Sequence, residues 1–292
     1  GVRICSPGDM DGDGYDDVLM SATWADPGGT DSGAAYLYYG PLTGSLDASA
    51  ADAEFVGEEA QDYAGYVAKA GDVDNDGFAD ALVGALYNDA GGNNSGAAYL
   101  LYGPTYGTID LSAADARLIG EAVGDLAGTG LAAAGDVDAD GYDDILIGAY
   151  YSDEGGSISG AAYLLYGPIY GTLDLSAADV TFVGEQAQDY AGYGLAGGDV
   201  DADGYSDLLI SGHLHGDAGS AYLFYGPVYG TIDLSSADAE FVGVGNDDRT
   251  AVSASSGDLN GDGFDDLLLG AYLYDGGHTD AGGAFVIYGG SR

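Results

Sequence analysis

The chain has 292 residues, 54 of them glycine and 6 proline, and sets 49 Asp+Glu against 5 Lys+Arg for a formal charge of −44. A surface of that sign repels nucleic-acid phosphate, while a hydrophobic fraction of 46% is enough to bury a core and excludes a disordered acidic tail. No eighteen apolar residues run together, so no insertion into a membrane is expected. The start, Gly1-Val2-Arg3-Ile4, has neither an initiator Met nor a signal peptide, which points to a chain processed or cut from something longer. The single Cys5 cannot form an internal disulfide and reads as a small buried apolar residue.

An internal repeat organises the whole chain. Gly71-Asp72-Val73-Asp74-Asn75-Asp76-Gly77-Phe78 returns from Gly135, Gly198 and Gly257, and more loosely from Gly8. The first aspartates, Asp9, Asp72, Asp136, Asp199 and Asp258, are spaced by 63, 64, 63 and 59 residues. The repeats are taken as 1–52, 53–115, 116–179, 180–238 and 239–292 of one domain. In the second, extended runs are expected near 65–71, 80–86, 98–102 and 117–120, separated by Gly, Asp and Ser. The third run, Tyr99-Leu100-Leu101-Tyr102, has copies at Tyr36, Tyr163, Tyr222 and Phe285 that are apolar on both faces, as in a sheet between two neighbours. Its tyrosines read as packing, not as a cofactor site. A single helical turn is expected at 112–115. Four-stranded units of this length, buried on both faces, predict an all-β fold of β-propeller blades; a linear β-solenoid is the alternative, although its repeats are usually shorter.

The strongest chemical signal is D-x-D/N-x-D-G-x-x-D, present five times: Asp9, Asp11, Asp13, Asp17; Asp72, Asp74, Asp76, Asp80; Asp136, Asp138, Asp140, Asp144; Asp199, Asp201, Asp203, Asp207; and Asp258, Asn260, Asp262, Asp266. Alternate oxygens converge where the chain curls, glycine at the sixth position permits the left-handed backbone, and carboxylates so crowded call for a cation. Hard oxygen ligands, with a backbone carbonyl at Tyr15, Phe78, Tyr142, Tyr205 or Phe264, favour Ca²⁺, up to five ions, one per repeat. The twelfth position, where an EF-hand needs Glu, holds Met20, Val83, Ile147, Ile210 and Leu269. Each loop instead runs straight into an apolar strand, closing a hairpin.

These loops, with the following Leu82-Val83-Gly84-Ala85, Leu146-Ile147-Gly148-Ala149 and Leu268-Leu269-Gly270-Ala271, resemble the FG-GAP repeats of integrin α-chain heads and bacterial surface proteins. The resemblance covers nearly the whole chain and implies a calcium-binding β-propeller. Where that family has Phe before Gly, this chain has Ala64, Ala127 or Ala191, and Leu86, Tyr150 or Tyr272 replaces the Pro after Gly-Ala. The family's rings have seven blades. The five repeats here, the first opening inside its first strand at Gly1 and the last without a fourth strand, fit either a fragment of such a ring or a five-bladed ring with an open sheet edge suited to homo-assembly.

Nothing in the sequence points to an enzyme. There is no Gly-x-Ser-x-Gly or His-Glu-x-x-His, and His213 and His215, which with Asp217 are close enough in sequence to share a metal, read instead as exposed polar residues. In a propeller the loops opposite the acidic hairpins present Trp24, Tyr87 and Tyr151 with Asp26, Asp89, Asp153, Asp62, Asp125 and Asp189, a combination suited to a carbohydrate or protein ligand, with Arg249 as an anchor for an acidic group. Five Ca²⁺ would bring the charge from −44 to −34 and couple metal binding to folding. Millimolar calcium is found outside cells, so a secreted or cell-surface location is expected, and Asn93-Asn94-Ser95 is one glycosylation sequon. The functional expectation is an adhesion or ligand-binding module. Alternatives are a self-assembling structural subunit of an extracellular fibre or matrix and an accessory domain of a larger secreted enzyme.

Overall fold

The computed structural model describes residues 3–245 and 247–292, without the side chain of Asp217. The expected strand start at Gly1 and the Asp217 carboxylate therefore lie outside the described residues. Among these the fold is all-β, with helix confined to short 3-10 turns. The first two repeats and the opening of the third contribute β1 (Ile4–Cys5), β2 (Val18–Ala22), β3 (Ala34–Tyr38), β4 (Ala53–Val56), β5 (Tyr66–Gly71), β6 (Asp80–Ala85), β7 (Ala97–Leu101), β8 (Gly107–Asp110) and β9 (Ala116–Ile119). The rest of the third repeat contributes β10 (Gly130–Gly135), β11 (Asp144–Ala149), β12 (Ala161–Leu165) and β13 (Gly171–Asp174), and the fourth opens with β14 (Val180–Val183). The fourth and fifth contribute β15 (Ala191–Gly198), β16 (Asp207–Gly212), β17 (Ser220–Phe224), β18 (Gly230–Asp233), β19 (Ala239–Val242), β20 (Thr250–Gly257), β21 (Asp266–Ala271) and β22 (Gly283–Ile287).

The chain divides into two compact units, 1–133 with 142–145 and 167–177, and the remainder. In the first unit, β1-β2-β3-β4 and β5-β6-β7-β9 are antiparallel meanders in chain order, the arrangement of propeller blades. Each gains a fifth strand that the repeat pattern does not predict: β8 pairs parallel with β4, Phe55 opposite Ile109, and β13 pairs parallel with β9, Leu118 opposite Leu173. A repeat thus lends a strand to the blade before it. Every residue of β6 and β7 is buried, as their two-sided apolar pattern predicts, around a core of Leu19, Leu37, Phe55, Val83, Tyr99 and Leu101. Fully burying one such side chain contributes about 1.5–3 kcal/mol. Close approach depends on glycine: a Cβ on Gly84 would lie 2.1 Å from the Gly128 carbonyl.

In the second unit β18 joins β14 in the same parallel fashion, Phe182 opposite Ile232. The meander β15-β16-β17-β19 follows, then the three-stranded β20-β21-β22. Among the described residues β19 and β22 have no outer partner, and they alternate between partly buried and exposed residues, whereas β9, β14, β7 and β12 have no exposed residue. The expected turn at 112–115 is a 3-10 turn at Leu111–Ala113, capped by Asp110 accepting from Ser112 N.

Candidate metal centres

Each acidic hairpin joins the first and second strands of a blade, and its first aspartate is a hub for backbone N–H groups. Asp9 accepts from Gly12 N at 2.7 Å, Asp13 N at 3.1 Å and Gly14 N at 2.8 Å; Asp258 does the same with Gly261, Asp262 and Gly263. Asp72 accepts from Asp76 and Gly77, Asp136 from Asp140 and Gly141, and Asp199 from Asp203 and Gly204. At the fifth position Asp13, Asp76, Asp203 and Asp262 accept from the N–H of Tyr15, Phe78, Tyr205 and Phe264, and Tyr142 holds the equivalent place in the third loop. The third-position Asp11, Asp138, Asp201 and Asn260 accept from the fifth residue. The expected left-handed glycine is present at φ 90–95° in Gly14, Gly77, Gly141, Gly204 and Gly263. The fourth position is left-handed too, in Gly12, Asn75, Ala139, Ala202 and Gly261.

The ninth-position aspartate does more than close the loop. Asp17 accepts from Met10 N at 2.7 Å and Gly40 N at 2.8 Å, Asp80 from Val73 N at 2.7 Å and Gly103 N at 3.0 Å, Asp207 from Val200 N at 2.9 Å and Gly226 N at 3.0 Å, and Asp266 from Leu259 N at 3.0 Å and Gly289 N at 2.9 Å. Asp144 accepts from Gly167 N in the same way. One carboxylate therefore ties the hairpin to the turn after the third strand. Burial pushes the carboxyls of Asp80 and Asp207 up to about 7 and raises that of Asp17. At exposed Asp258 the N–H of Gly263, with those of Gly261 and Asp262, lowers the pKa. Successive loops are also linked: Ala79 N donates to Asp9 O, Asp143 N to Asp72 O, Ser206 N to Asp136 O and Asp265 N to Asp199 O.

Carboxylate oxygens of Asp9, Asp11 and Asp13, of Asp72, Asp74 and Asp80, and of Asp199, Asp201 and Asp203 lie within 4.8 Å of one another, as do those of Asp136 and Asp138. Oδ1 of Asp74 is buried and has no hydrogen-bond partner. An unpartnered carboxylate oxygen inside a cluster of carboxylates suits a hard cation, and the donor set is one of oxygens only. In the fourth loop a protein cation is present already: Arg292 pairs with Asp201, reaches Asp203 at 3.7 Å and lies over the Tyr225 ring.

At the other end of the blades Trp24 is exposed, and Tyr87 and Tyr151 are partly so; Tyr87 stacks edge-on with Tyr63, and Tyr151 with Tyr150 and Tyr190. Arg249 has a left-handed backbone and a buried Nε without a hydrogen-bond partner. The carboxylates expected to accompany these aromatics are largely engaged by their own loops: Asp26 accepts from Asp31 N, Asp89 from Asn94 N and Asp153 from Ile158 N, while Asp62, Asp125 and Asp189 are buried. The two histidines, expected to be exposed, are mostly covered. His213 packs at a tilt against the rings of Tyr190 and Tyr193, and burial, with Arg249 nearby, pushes its pKa down to about 4. His215 bonds Asp189.

Comparison with known proteins agrees with this geometry. The FG-GAP repeat family matches residues 6–38, 127–165 and 250–287. Integrin alpha pat-2 of Caenorhabditis briggsae is 27% identical over 251 residues, 81% of this chain and 20% of that protein. Integrin alpha-V of Gallus gallus is 27% identical over 211 residues, 70% and 19% of the two chains. Phosphatidylinositol-glycan-specific phospholipase D of Rattus norvegicus is 32% identical over 157 residues, 50% and 18%. The chain therefore spans about a fifth of the length of these relatives. Five acidic hairpins on bladed sheets, together with these matches, support an integrin-α-like FG-GAP repeat domain.

Proposed function

We propose that this domain is a calcium-binding, non-catalytic adhesion or ligand-recognition module of an extracellular or cell-surface protein. Each acidic hairpin takes one Ca²⁺ through its first, third, fifth and ninth side chains and the seventh carbonyl, five ions in all. The observation that carries this reading is the gathering of loop carboxylates within 4.8 Å of one another, with the Asp74 Oδ1 left buried and unpartnered among them. Calcium there would hold each hairpin closed and, through the loop-to-loop hydrogen bonds, stiffen its neighbours. The opposite ends of the blades, with Trp24 and Tyr87 on one unit and Tyr151 and Arg249 on the other, would meet a protein or carbohydrate. The phospholipase relative leaves a role beside a catalytic domain as a variant of the same binding function. The unpaired β22 edge, with Val286 44% exposed, favours a second reading, homo-assembly as a structural subunit.

Sedimentation velocity of the chain in calcium, after chelation and after calcium is restored, separates these. A compact monomer that expands reversibly on chelation supports the binding module, and large calcium-dependent assemblies support the structural subunit. Indifference to the chelator overturns the calcium reading itself.

A further inference from the structure

Three times in this chain the outer strand of a blade is covered by a parallel strand of one composition. β8 on β4, β13 on β9 and β18 on β14 pair in the same register, with Gly opposite the first residue of the outer strand and Asp opposite the last. The covering strands read Gly-Thr-Ile-Asp or Gly-Thr-Leu-Asp, each followed by Leu-Ser. That leucine is the anchor: Leu111, Leu175 and Leu234 are fully buried. Under the cover the last residues of the outer strands, Val56, Ile119 and Val183, are only 6–8% exposed.

The fourth blade has the same outer strand without the cover. β19 is Ala239-Glu240-Phe241-Val242, residue for residue the sequence of β4, Ala53-Glu54-Phe55-Val56, yet Val242 is 61% exposed where Val56 is 6%, and Phe241 is only partly buried where Phe55 is fully so. Beside it lies an apolar cavity of about 260 Å³ lined by Val200, Leu223, Ala239, Phe241, Leu267 and Ile287. By strand register these are the counterparts of Met10, Leu37, Ala53, Phe55, Ala81 and Leu101, the side chains among which Leu111 is buried. A second cavity of about 390 Å³ shares Phe241 and Ile287 and reaches Val242. The approach to the edge is also kept. Tyr106 meets the Tyr39 ring at 5.3 Å and Tyr170 the Tyr102 ring at 5.4 Å, each one residue before its covering strand, and Arg292 stands over the matching Tyr225 ring at 3.5 Å. Beyond Arg292 the β19 edge offers unpaired backbone groups above an apolar groove, which is what an added strand requires.

We propose that the β19 edge and its groove are a docking site for a polypeptide strand of the Gly-Thr-Ile/Leu-Asp-Leu type, the covering strand of another repeat of this kind. It adds parallel to β19, with its Gly opposite Ala239 and its Asp opposite Val242, and its Leu enters the cavity between Phe241 and Ile287. Main-chain hydrogen bonds to the edge supply affinity, and the leucine supplies specificity. This site is separate from the β22 edge, which has neither a covered twin of identical sequence in the chain nor a defined register for its partner.

The test titrates the intact chain, in calcium, into a fluorescently labelled peptide that copies residues 230–237, Gly-Thr-Ile-Asp-Leu-Ser-Ser-Ala, and reads anisotropy together with amide hydrogen exchange of the protein. Saturable one-to-one uptake is expected, with exchange slowed at Ala239–Val242. A peptide with Asp in place of its Leu, and one of scrambled order, should not bind. Val242→Glu alters a residue that is exposed in the free protein, so the variant should fold normally by circular dichroism while binding the peptide at least about tenfold more weakly. Val123→Glu, at an exposed valine elsewhere, should change nothing. Uptake that is absent in the native chain, equal for the scrambled peptide, or unaltered in Val242→Glu overturns the proposal. So does a dimer of the native chain in sedimentation that Val242→Glu dissociates and the peptide does not, since the edge would then belong to a second copy.

Discussion

Acidifying the calcium-free protein from pH 8 to pH 6.5 should stabilise it, and calcium should remove the effect. Asp80 and Asp207 are 0% and 2% exposed, and burial holds their carboxyls up at about 7 against an ordinary 3.8. Near neutrality the unfolded chain has released both protons while the folded chain still holds them in part. The folded state binds more protons, so its stability falls as pH rises through 7. At pH 7 each carboxyl is about half protonated in the fold, which gives a slope of about −1.4 kcal/mol per pH unit for the pair. His213 acts with the opposite sign but lower down: its folded pKa of about 4 lies below the unfolded 6.5, so its contribution rises between those values and is flat above them. The lowered carboxyl of Asp258 acts only at the acid end. A bound cation keeps Asp80 and Asp207 ionised and removes the proton linkage. Thermal melts of metal-stripped protein across pH 6.5–8 should show Tm falling with pH, against a flat line in calcium. The double variant Asp80→Asn with Asp207→Asn should give a flat line without calcium. A Tm that is constant or rises with pH in the metal-stripped native protein refutes the reasoning.

Two further substitutions probe the packing and the loops. Gly128→Ala places a Cβ 2.2 Å from the Ala97 carbonyl at φ +85°, which should cost about 1–3 kcal/mol and show as a lowered denaturation midpoint with unchanged m-value. Arg292→Ala removes the guanidinium from Asp201 and Asp203, and calorimetry should show tighter calcium binding at the fourth loop alone; unchanged or weaker affinity would mean that the arginine does not compete there.

Much of the blade is legible in the sequence because its physics is local and repeated. Strands such as Leu82-Val83-Gly84-Ala85 and Tyr99-Leu100-Leu101 are apolar on both faces, and the structure buries both faces. The hairpin is legible because Asp72, Gly77 and Asp80 must curl one short segment. What is not legible depends on long-range pairing. Gly107-Thr108-Ile109-Asp110 recurs almost unchanged at Gly171 and Gly230, so a signal is present. The run is not among the expected strands, however, because its partner β4 belongs to the preceding blade and is distant in sequence. The ninth-position aspartate reads as one more ligand, but its two oxygens are held by amides from separate segments, such as Val73 and Gly103, that only the fold brings together. The aspartates expected at the ligand face differ for a related reason: Asp26, Asp89 and Asp153 accept from amides five residues on, a short-range role that composition does not reveal.

The comparison between blades carries a wider argument about where function resides in such a repeat. Residues common to the repeats, such as Leu82 and Leu209 in the second strands or Tyr99 and Tyr222 in the third, are buried and serve packing that every blade needs. A shared position that changes charge cannot be explained by that packing, because the same backbone register accepts both forms. Arg117 and Glu240 occupy one such position, each opposite a buried tyrosine and near a glutamate. The arginine supplies the positive charge from within the chain. The glutamate removes that charge, and its Oε1 is met by Ser220 Oγ, as Glu185 Oε2 is by Tyr222 OH. A register that accepts either charge is therefore one that the packing of the blade leaves free.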